Sequence, residues 1–94
     1  MSDIEIVDHP QMRRFEIRLD GQLAGTAAYR LEPGRVRFTH TEVEPAYEGH
    51  GLGGQLAAGA LDLVRERDLK VVPSCPFIAE YIERNPQYKD LVAS

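Results

Sequence analysis

The first half of the chain alternates between apolar and polar side chains, which predicts strands joined by tight turns. From Met12 to Leu19, apolar residues alternate with charged ones, the pattern of a half-buried strand. Asp20-Gly21 predicts a two-residue hairpin turn, because glycine accepts positive φ at little cost. A weaker alternation predicts a second strand from Gln22 to Leu31, and Pro33-Gly34 predicts the next turn.

A third strand is predicted from Arg35 to Val43, and its residues are divided between two faces. Because successive side chains of a strand point to opposite faces, we expect two sets of residues. One face is expected to carry Val36, Phe38, His40 and Glu42, and the other Arg37, Thr39, Thr41 and Val43.

The spacing of apolar residues changes in the second half of the chain. They recur every three or four positions from Leu52 to about Arg67, which predicts an amphipathic helix. The apolar run Leu69 to Val72 predicts a strand buried on both faces, typical of a parallel position. A second helix is predicted from Pro76 to about Arg84, with Pro86 beyond its end. This order predicts an α+β fold, a mixed antiparallel and parallel sheet covered by helices, in one compact domain over residues 1–94.

Composition restricts the classes of partner. The net charge of −4 argues against a general affinity for nucleic acid, which needs a basic face. The single cysteine, Cys75, excludes an internal disulfide and a cysteine-based zinc cluster, and it fits a reducing compartment. No apolar run approaches the roughly 18 residues of a membrane span. We therefore expect a cytoplasmic protein without a metal, a nucleic acid or a membrane partner, and a monomer or weak dimer.

The most informative segment is the glycine-rich loop from Glu48 to Gly54, which separates the third strand from the first helix. Glycines allow successive backbone N–H groups to approach an anion, and the helix start adds free donors and positive dipole charge. A diphosphate is the natural ligand of such a loop. No Gly-Lys-Ser/Thr follows, so a Walker-type nucleotide site is not indicated. The alternative is a glycine turn that merely packs the helix close to the sheet.

The residues around this loop resemble a known family. Val43 and Pro45 precede Tyr47, and Leu56 follows the last glycine, a spacing similar to motif A of the GCN5-related N-acetyltransferases. A narrower resemblance is to a compact subgroup of predicted acetyltransferases. It covers three segments: His40–Val43, Val71–Ile82 and the region from Asn85 to Val92. The resemblance implies a pair of parallel strands that splay apart, with acetyl-CoA between them. It also implies that loop amides hold the coenzyme A diphosphate, those of Gly49, His50, Gly51, Leu52, Gly53 and Gly54.

Two features depart from the family pattern. Glu48 stands where arginine or glutamine is usual, although a loop that binds through backbone amides should tolerate the change. The chain also lacks the N-terminal strand–helix–helix region that helps to form the acceptor site in full-length relatives. The acceptor is therefore left open.

Several side chains are candidates for the chemistry that the resemblance implies. Cys75 is expected at the N-cap of the second helix, near the acyl thioester, where it would relay the acyl group; the alternative is a small buried apolar residue. His40 would act as general base or activate Cys75, and Glu42 would orient His40 or be the base itself. A backbone amide near Val43 would polarise the thioester carbonyl. Tyr81 is the candidate acid for the departing thiolate, with a packing role as its alternative.

Three functions remain open at this point. The first is acetyl transfer from acetyl-CoA to an amine or protein acceptor. The second is a module that binds coenzyme A without turnover or mediates a protein interaction. In the third, the glycine loop is purely structural. Asn85 is expected either to cap the second helix or to contact the coenzyme.

Overall fold

The computed structural model describes residues 3–93. Within this range the chain forms five strands and two helices, with short 3₁₀ turns at Pro10–Met12, Pro45–Tyr47 and Pro86–Leu91. None of the helices in 3–93 is both long and apolar enough to cross a bilayer. The strands are β1 (Ile4–His9), β2 (Arg14–Leu19), β3 (Gln22–Glu32), β4 (Arg35–Val43) and β5 (Lys70–Pro73), and the helices are α1 (Leu52–Glu66) and α2 (Pro76–Arg84).

The strands form one mixed sheet in the order β1-β2-β3-β4-β5. Neighbours from β1 to β4 are antiparallel, and β5 pairs with β4 in parallel. Both predicted hairpin turns are present: Asp20 and Gly21 have φ of 51° and 81°, and Gly34 has φ of 74°. The predicted α+β class with a mixed sheet is therefore confirmed.

The first strand was not predicted. β1 pairs with β2 along its whole length, from Ile4 opposite Leu19 to His9 opposite Arg14. The predicted start of β2 at Met12 is also wrong, because Pro10–Met12 turns the chain between the two strands. Helix α1 lies directly on β1: a Cβ added at Gly59 would collide with Cδ1 of Ile6. The sheet therefore has four antiparallel strands, one more than the alternation predicted.

The core lies between one face of the sheet and both helices. The largest buried side chains include Phe15 and Phe38 from the sheet, whose ring centroids are 5.9 Å apart. Leu56 and Leu61 from α1 and Ile78 from α2 join the same cluster. Full burial of such side chains contributes about 1.5–3 kcal/mol each. This packing holds both helices against one face of the sheet.

The opposite face of the sheet carries charged side chains around a buried carboxylate. Glu16 is only 2% exposed. Arg14 Nε lies 2.8 Å from its Oε2, Arg18 Nη2 lies 2.7 Å from its Oε1, and His9 Nδ1 lies 3.1 Å from Oε2. Burial alone would raise the pKa of Glu16, but hydrogen bonds from His9, Arg18 and Arg14 outweigh it and lower the pKa to about 2. Glu16 therefore stays ionised and joins β1 to β2.

Candidate functional site

A gap opens between β4 and the segment that follows β5. The two strands pair from Arg35 opposite Lys70 to Phe38 opposite Pro73, and there the pairing ends. β4 continues to Val43, whereas β5 stops at Pro73. The amide of Cys75 donates to the carbonyl of Phe38 at 2.9 Å, which closes the paired end of the gap. This geometry confirms the splayed pair of parallel strands.

A β-bulge at this point changes which side chains face the gap. Phe38 lies opposite Tyr29 and His40 opposite Ala28, so that Thr39 is an extra residue in β4. The alternation reverses beyond the bulge, and Thr41 Oγ1 reaches to 3.4 Å from Cys75 Sγ.

His40 and Glu42 consequently point away from the gap. Their side chains are 66% and 70% exposed, with His40 Nε2 3.0 Å from Glu42 Oε1. The prediction that these two residues share a face with Val36 and Phe38 is wrong, because strict alternation does not include the bulge. The structure brings His40 to Glu42 as expected, but it does not bring His40 to Cys75.

The glycine loop presents unused backbone donors at the start of α1. Gly49 and Gly51 have φ of 85° and 72°, values that favour glycine, and Gly51 is the N-cap of α1. The amides of residues 49–54 donate none of the hydrogen bonds that form within 3–93; the next amide, that of Gln55, donates to Gly51 at 3.3 Å. Six consecutive N–H groups without an acceptor in 3–93 therefore lie beside the positive end of the α1 dipole.

The same loop packs tightly against α2 and β4. A Cβ added at Gly53 would lie 2.9 Å from Cζ of Phe77 and 3.5 Å from Cγ2 of Val43. A Cβ at Gly54 would lie 3.8 Å from Cε1 of Tyr81. The glycines thus allow close helix packing, which was the structural alternative, but this packing leaves the backbone donors free.

Grooves surround the loop on both sides. One of about 270 Å³ is lined by the loop, Val43 and Phe77. A second, of about 220 Å³, shares Gly54 and Phe77 with it and extends along α2 to Arg84. A third, of about 410 Å³, adjoins it at Val43 and carries three carboxylates, those of Glu42, Glu44 and Glu48.

The N–H of Val43 points into the gap. The amide of Glu44 donates to the carbonyl of Ala24 on β3 at 2.7 Å. Because successive N–H groups of a strand point to opposite edges, the N–H of Val43 points away from β3, towards the side on which β5 has separated. This position agrees with the donor predicted near Val43.

Cys75 lies at the N-cap of α2, as predicted, and its side chain makes no capping hydrogen bond. The residue is 3% exposed, and its sulfur faces Thr41 at the closed end of the gap. Cys75 is therefore a buried core residue, which was the alternative expectation, and it lies where the pairing of β4 and β5 ends. Its role as an acyl relay stays a prediction.

Tyr81 on α2, Asn85 at the end of α2 and Tyr88 in the 3₁₀ turn that follows have different surroundings. Tyr81 lines the groove beside Gly54, and burial together with the charge of Asp62 raises its pKa. Asn85 Nδ2 donates to the carbonyl of Tyr81 at 2.8 Å, so it caps the end of α2. Tyr88 is buried and donates to Asp62 Oδ1 at 2.9 Å; burial and this hydrogen bond raise its pKa to about 12.

Sequence reasoning missed two residues of the site, Phe77 and Thr41. Phe77 is 41% exposed and lines the groove at the loop. Its helical spacing of four from Tyr81 could have identified it, because Ile78 and Ile82 mark the buried side of α2. Thr41 had no comparable signal, since its orientation depends on the bulge.

Comparison with known proteins agrees with this geometry. A family model described as GCN5-related N-acetyl-transferase matches residues 14–91. Protein NATD1 of Mus musculus is 41% identical over 83 residues, which cover 85% of this chain and 76% of that protein. The solution structure of a GCN5-like protein from Staphylococcus aureus matches with a TM-score of 0.73 at 26% identity, over 100% of this chain and 92% of that one.

A more distant solved structure shares the fold alone. The ribosomal-protein-S18-alanine N-acetyltransferase from Escherichia coli matches with a TM-score of 0.64 at 15% identity, over 92% of this chain and 76% of that one. The family match includes β4, the glycine loop, both helices and Cys75, which together form the candidate site. The chain belongs to the GCN5-related N-acetyl-transferase family.

Proposed function

We propose that the protein is an acetyl-CoA-dependent N-acetyltransferase that binds the coenzyme at the loop 49–54 and transfers the acetyl group to an amine. The observation that carries this proposal is the run of six amides without an acceptor in the described chain, at the N-terminus of α1. A diphosphate fits this loop because it offers several charged oxygens to closely spaced N–H donors. Family membership supports the same ligand.

The gap between β4 and α2 suits the acyl end of the coenzyme. When bound, acetyl-CoA supplies a thioester whose carbonyl carbon accepts an amine nitrogen. The N–H of Val43 is directed into this gap, where it would donate to the carbonyl oxygen as negative charge develops there. Phe77 would cover the groove between the loop and α2, which excludes water from that side.

The acceptor is proposed to approach along the acidic groove. Glu42, Glu44 and Glu48 line it, and their charges favour a protonated amine over an anionic or neutral acceptor. The amine must lose a proton before it attacks. Glu42 lines this groove, and His40 is hydrogen-bonded to it. Because both side chains point away from the gap, we propose that Glu42, oriented by His40, takes the proton from the amine in the groove, before the amine enters the gap.

Two routes for the acetyl group are open at the other side of the gap. In direct transfer, Cys75 only shapes the gap. In the covalent variant, the Cys75 sulfur accepts the acetyl group and then passes it to the amine. Tyr81 is the proposed proton donor to the departing thiolate, since it lines the groove beside Gly54 and a phenol is protonated at neutral pH.

The test begins with calorimetry of coenzyme A binding to the purified protein. Transfer from acetyl-CoA is then measured as thiol release and as acetylated product, with spermidine and a lysine-rich peptide as acceptors and an acidic peptide as the matched control. Binding with transfer to the cationic acceptors supports the proposal. Binding without transfer to any acceptor would favour a coenzyme-A-binding module, and no binding would leave the loop a purely structural element.

The two routes are separated with a Cys75→Ala variant and by intact mass measurement. The covalent route predicts an added acetyl mass on the wild-type chain under slow turnover, and loss of transfer with retained coenzyme binding in Cys75→Ala. Retained transfer in this variant, with no acetyl mass on the wild type, would leave direct transfer.

A further inference from the structure

Thr41 makes a side-chain contact with Cys75 inside the gap. Its Oγ1 lies 3.4 Å from the Cys75 sulfur, which is within hydrogen-bond range for sulfur. Thr41 also lines the acidic groove, so its side chain stands between the proposed acceptor groove and the thiol. Sequence alternation predicted His40 and Glu42, instead of Thr41, on the face of β4 that carries Val36 and Phe38.

The bulge at Thr39 is what directs Thr41 inward. Without the extra residue, alternation from the buried Phe38 would point His40 at α2 and Thr41 at solvent. Bulges next to active sites re-aim side chains in this way. Thr39 itself is exposed, and its hydroxyl donates to the carbonyl of Ala28 at 3.3 Å, on the far side of β4 from Cys75.

The Cys75 sulfur is buried, so a hydrogen bond to it affects the stability of its charged form. Cys75 is 3% exposed, and for the part of the chain that the structure describes, Thr41 is the one hydrogen-bond partner of its sulfur. A buried charged sulfur is costly unless a donor faces it. A threonine hydroxyl rotates, so it accepts from a neutral thiol and donates to a thiolate.

We infer that Thr41 is a positioning residue: its hydroxyl holds the Cys75 sulfur in the gap and donates to it when the sulfur is charged. The contact is a feature of the fold itself. Its consequence for acetyl transfer depends on the proposed function, because only then does the gap receive a thioester.

The experiment compares Thr41→Val, which keeps the shape and removes the hydroxyl, with Thr41→Ser, which keeps the hydroxyl. Cys75 is the sole cysteine, so its alkylation by iodoacetamide is read directly from the mass of the coenzyme-free protein. At about pH 8, we expect alkylation to slow about tenfold in Thr41→Val and to change less than about threefold in Thr41→Ser. Tenfold corresponds to about 1.4 kcal/mol, close to the lower end of a hydrogen bond to a charged group.

Thr26→Val is the matched control, since Thr26 lies on β3 opposite Glu16 and Glu42, on the face of the sheet away from Cys75, and alkylation should not change. Equal or faster alkylation in Thr41→Val, or equal slowing in Thr41→Ser, would overturn the inference, because the hydroxyl would then not be the cause. If Thr41→Val does not fold, Thr41→Ala against Thr41→Ser makes the same comparison.

Acetyl transfer gives a separate readout. If transfer uses Cys75, kcat falls in Thr41→Val and is restored in Thr41→Ser, while KM for acetyl-CoA stays unchanged, because the loop binds the coenzyme. A wild-type protein without transfer would refute the proposed function, yet the alkylation series would still decide the role of Thr41.

Discussion

Replacing Gly54 tests a single backbone donor of the loop. Gly54 is the third residue of α1, and its N–H donates no hydrogen bond within residues 3–93. Gly54→Pro deletes this donor, whereas Gly54→Ala keeps it. Proline is tolerated in the first turn of a helix, and the preceding residue, Gly53, has no Cβ to clash with the proline ring.

The geometry predicts that both variants fold. A Cβ at position 54 would lie 3.8 Å from Cε1 of Tyr81, an ordinary contact that both substitutions share. Loss of a hydrogen bond to a charged oxygen costs about 1.5–3 kcal/mol, which weakens binding about tenfold to a hundredfold. Gly54→Ala should bind coenzyme A like the wild type, and its helix should gain up to about 1 kcal/mol from the higher propensity of alanine.

Calorimetry gives the dissociation constant for coenzyme A, and circular dichroism melting shows whether each variant is folded. Pantetheine, which lacks the diphosphate, serves as the control ligand, and the substitution should not change its binding. Equal affinity of folded Gly54→Pro and Gly54→Ala for coenzyme A would refute the role of this amide.

Three further predictions concern charge and packing. Glu48→Gln should tighten coenzyme A binding about threefold at low salt and less at high salt, because an exposed carboxylate beside the loop repels the diphosphate. The ionised Glu16 stabilises the fold above pH 4.5, its ordinary pKa, and this contribution is lost as the pH falls towards its folded pKa of about 2. Glu16→Gln should therefore be less stable than the wild type at neutral pH. In thermal melts at acid pH, the difference in stability should shrink. Gly59→Leu should destabilise the fold by about 1–3 kcal/mol through its clash with Ile6, and Ile6→Ala should recover part of that loss in denaturant titrations.

Each of these three predictions would be contradicted by a specific result. An affinity of Glu48→Gln that is unchanged at low salt would mean that this carboxylate does not face the ligand. A constant stability difference for Glu16→Gln from neutral pH to strong acid would contradict its lowered pKa. Additive losses in the Gly59→Leu and Ile6→Ala double variant would show that the two positions are not in contact.

The turns and helices of this fold could be predicted because their signals are local. Asp20-Gly21 and Pro33-Gly34 specify tight hairpins through glycine φ, and both helices begin at the residues expected, Leu52 and Pro76. The glycine loop was also recognisable, because its spacing and its place between a strand and a helix both indicate an anion site.

Two features could not be predicted because they depend on distant contacts. β1 is a six-residue edge strand whose pattern is weak, and its place is set by pairing with β2 and by α1 packing on Ile6. The bulge at Thr39 leaves no mark in the alternation of β4, although it decides that Thr41 faces Cys75. Periodicity identifies which residues form a strand, but it cannot count an extra residue opposite the partner strand.

The most direct measurement is a titration of ¹⁵N-labelled protein with coenzyme A, followed by amide resonances. If the main-chain amides of the loop bind the diphosphate, the largest chemical-shift changes should fall on the amides of residues 49–54. Pantetheine alone should leave these resonances unchanged. Saturable coenzyme binding with the largest shifts elsewhere, or no binding at all, would contradict the assignment of this loop.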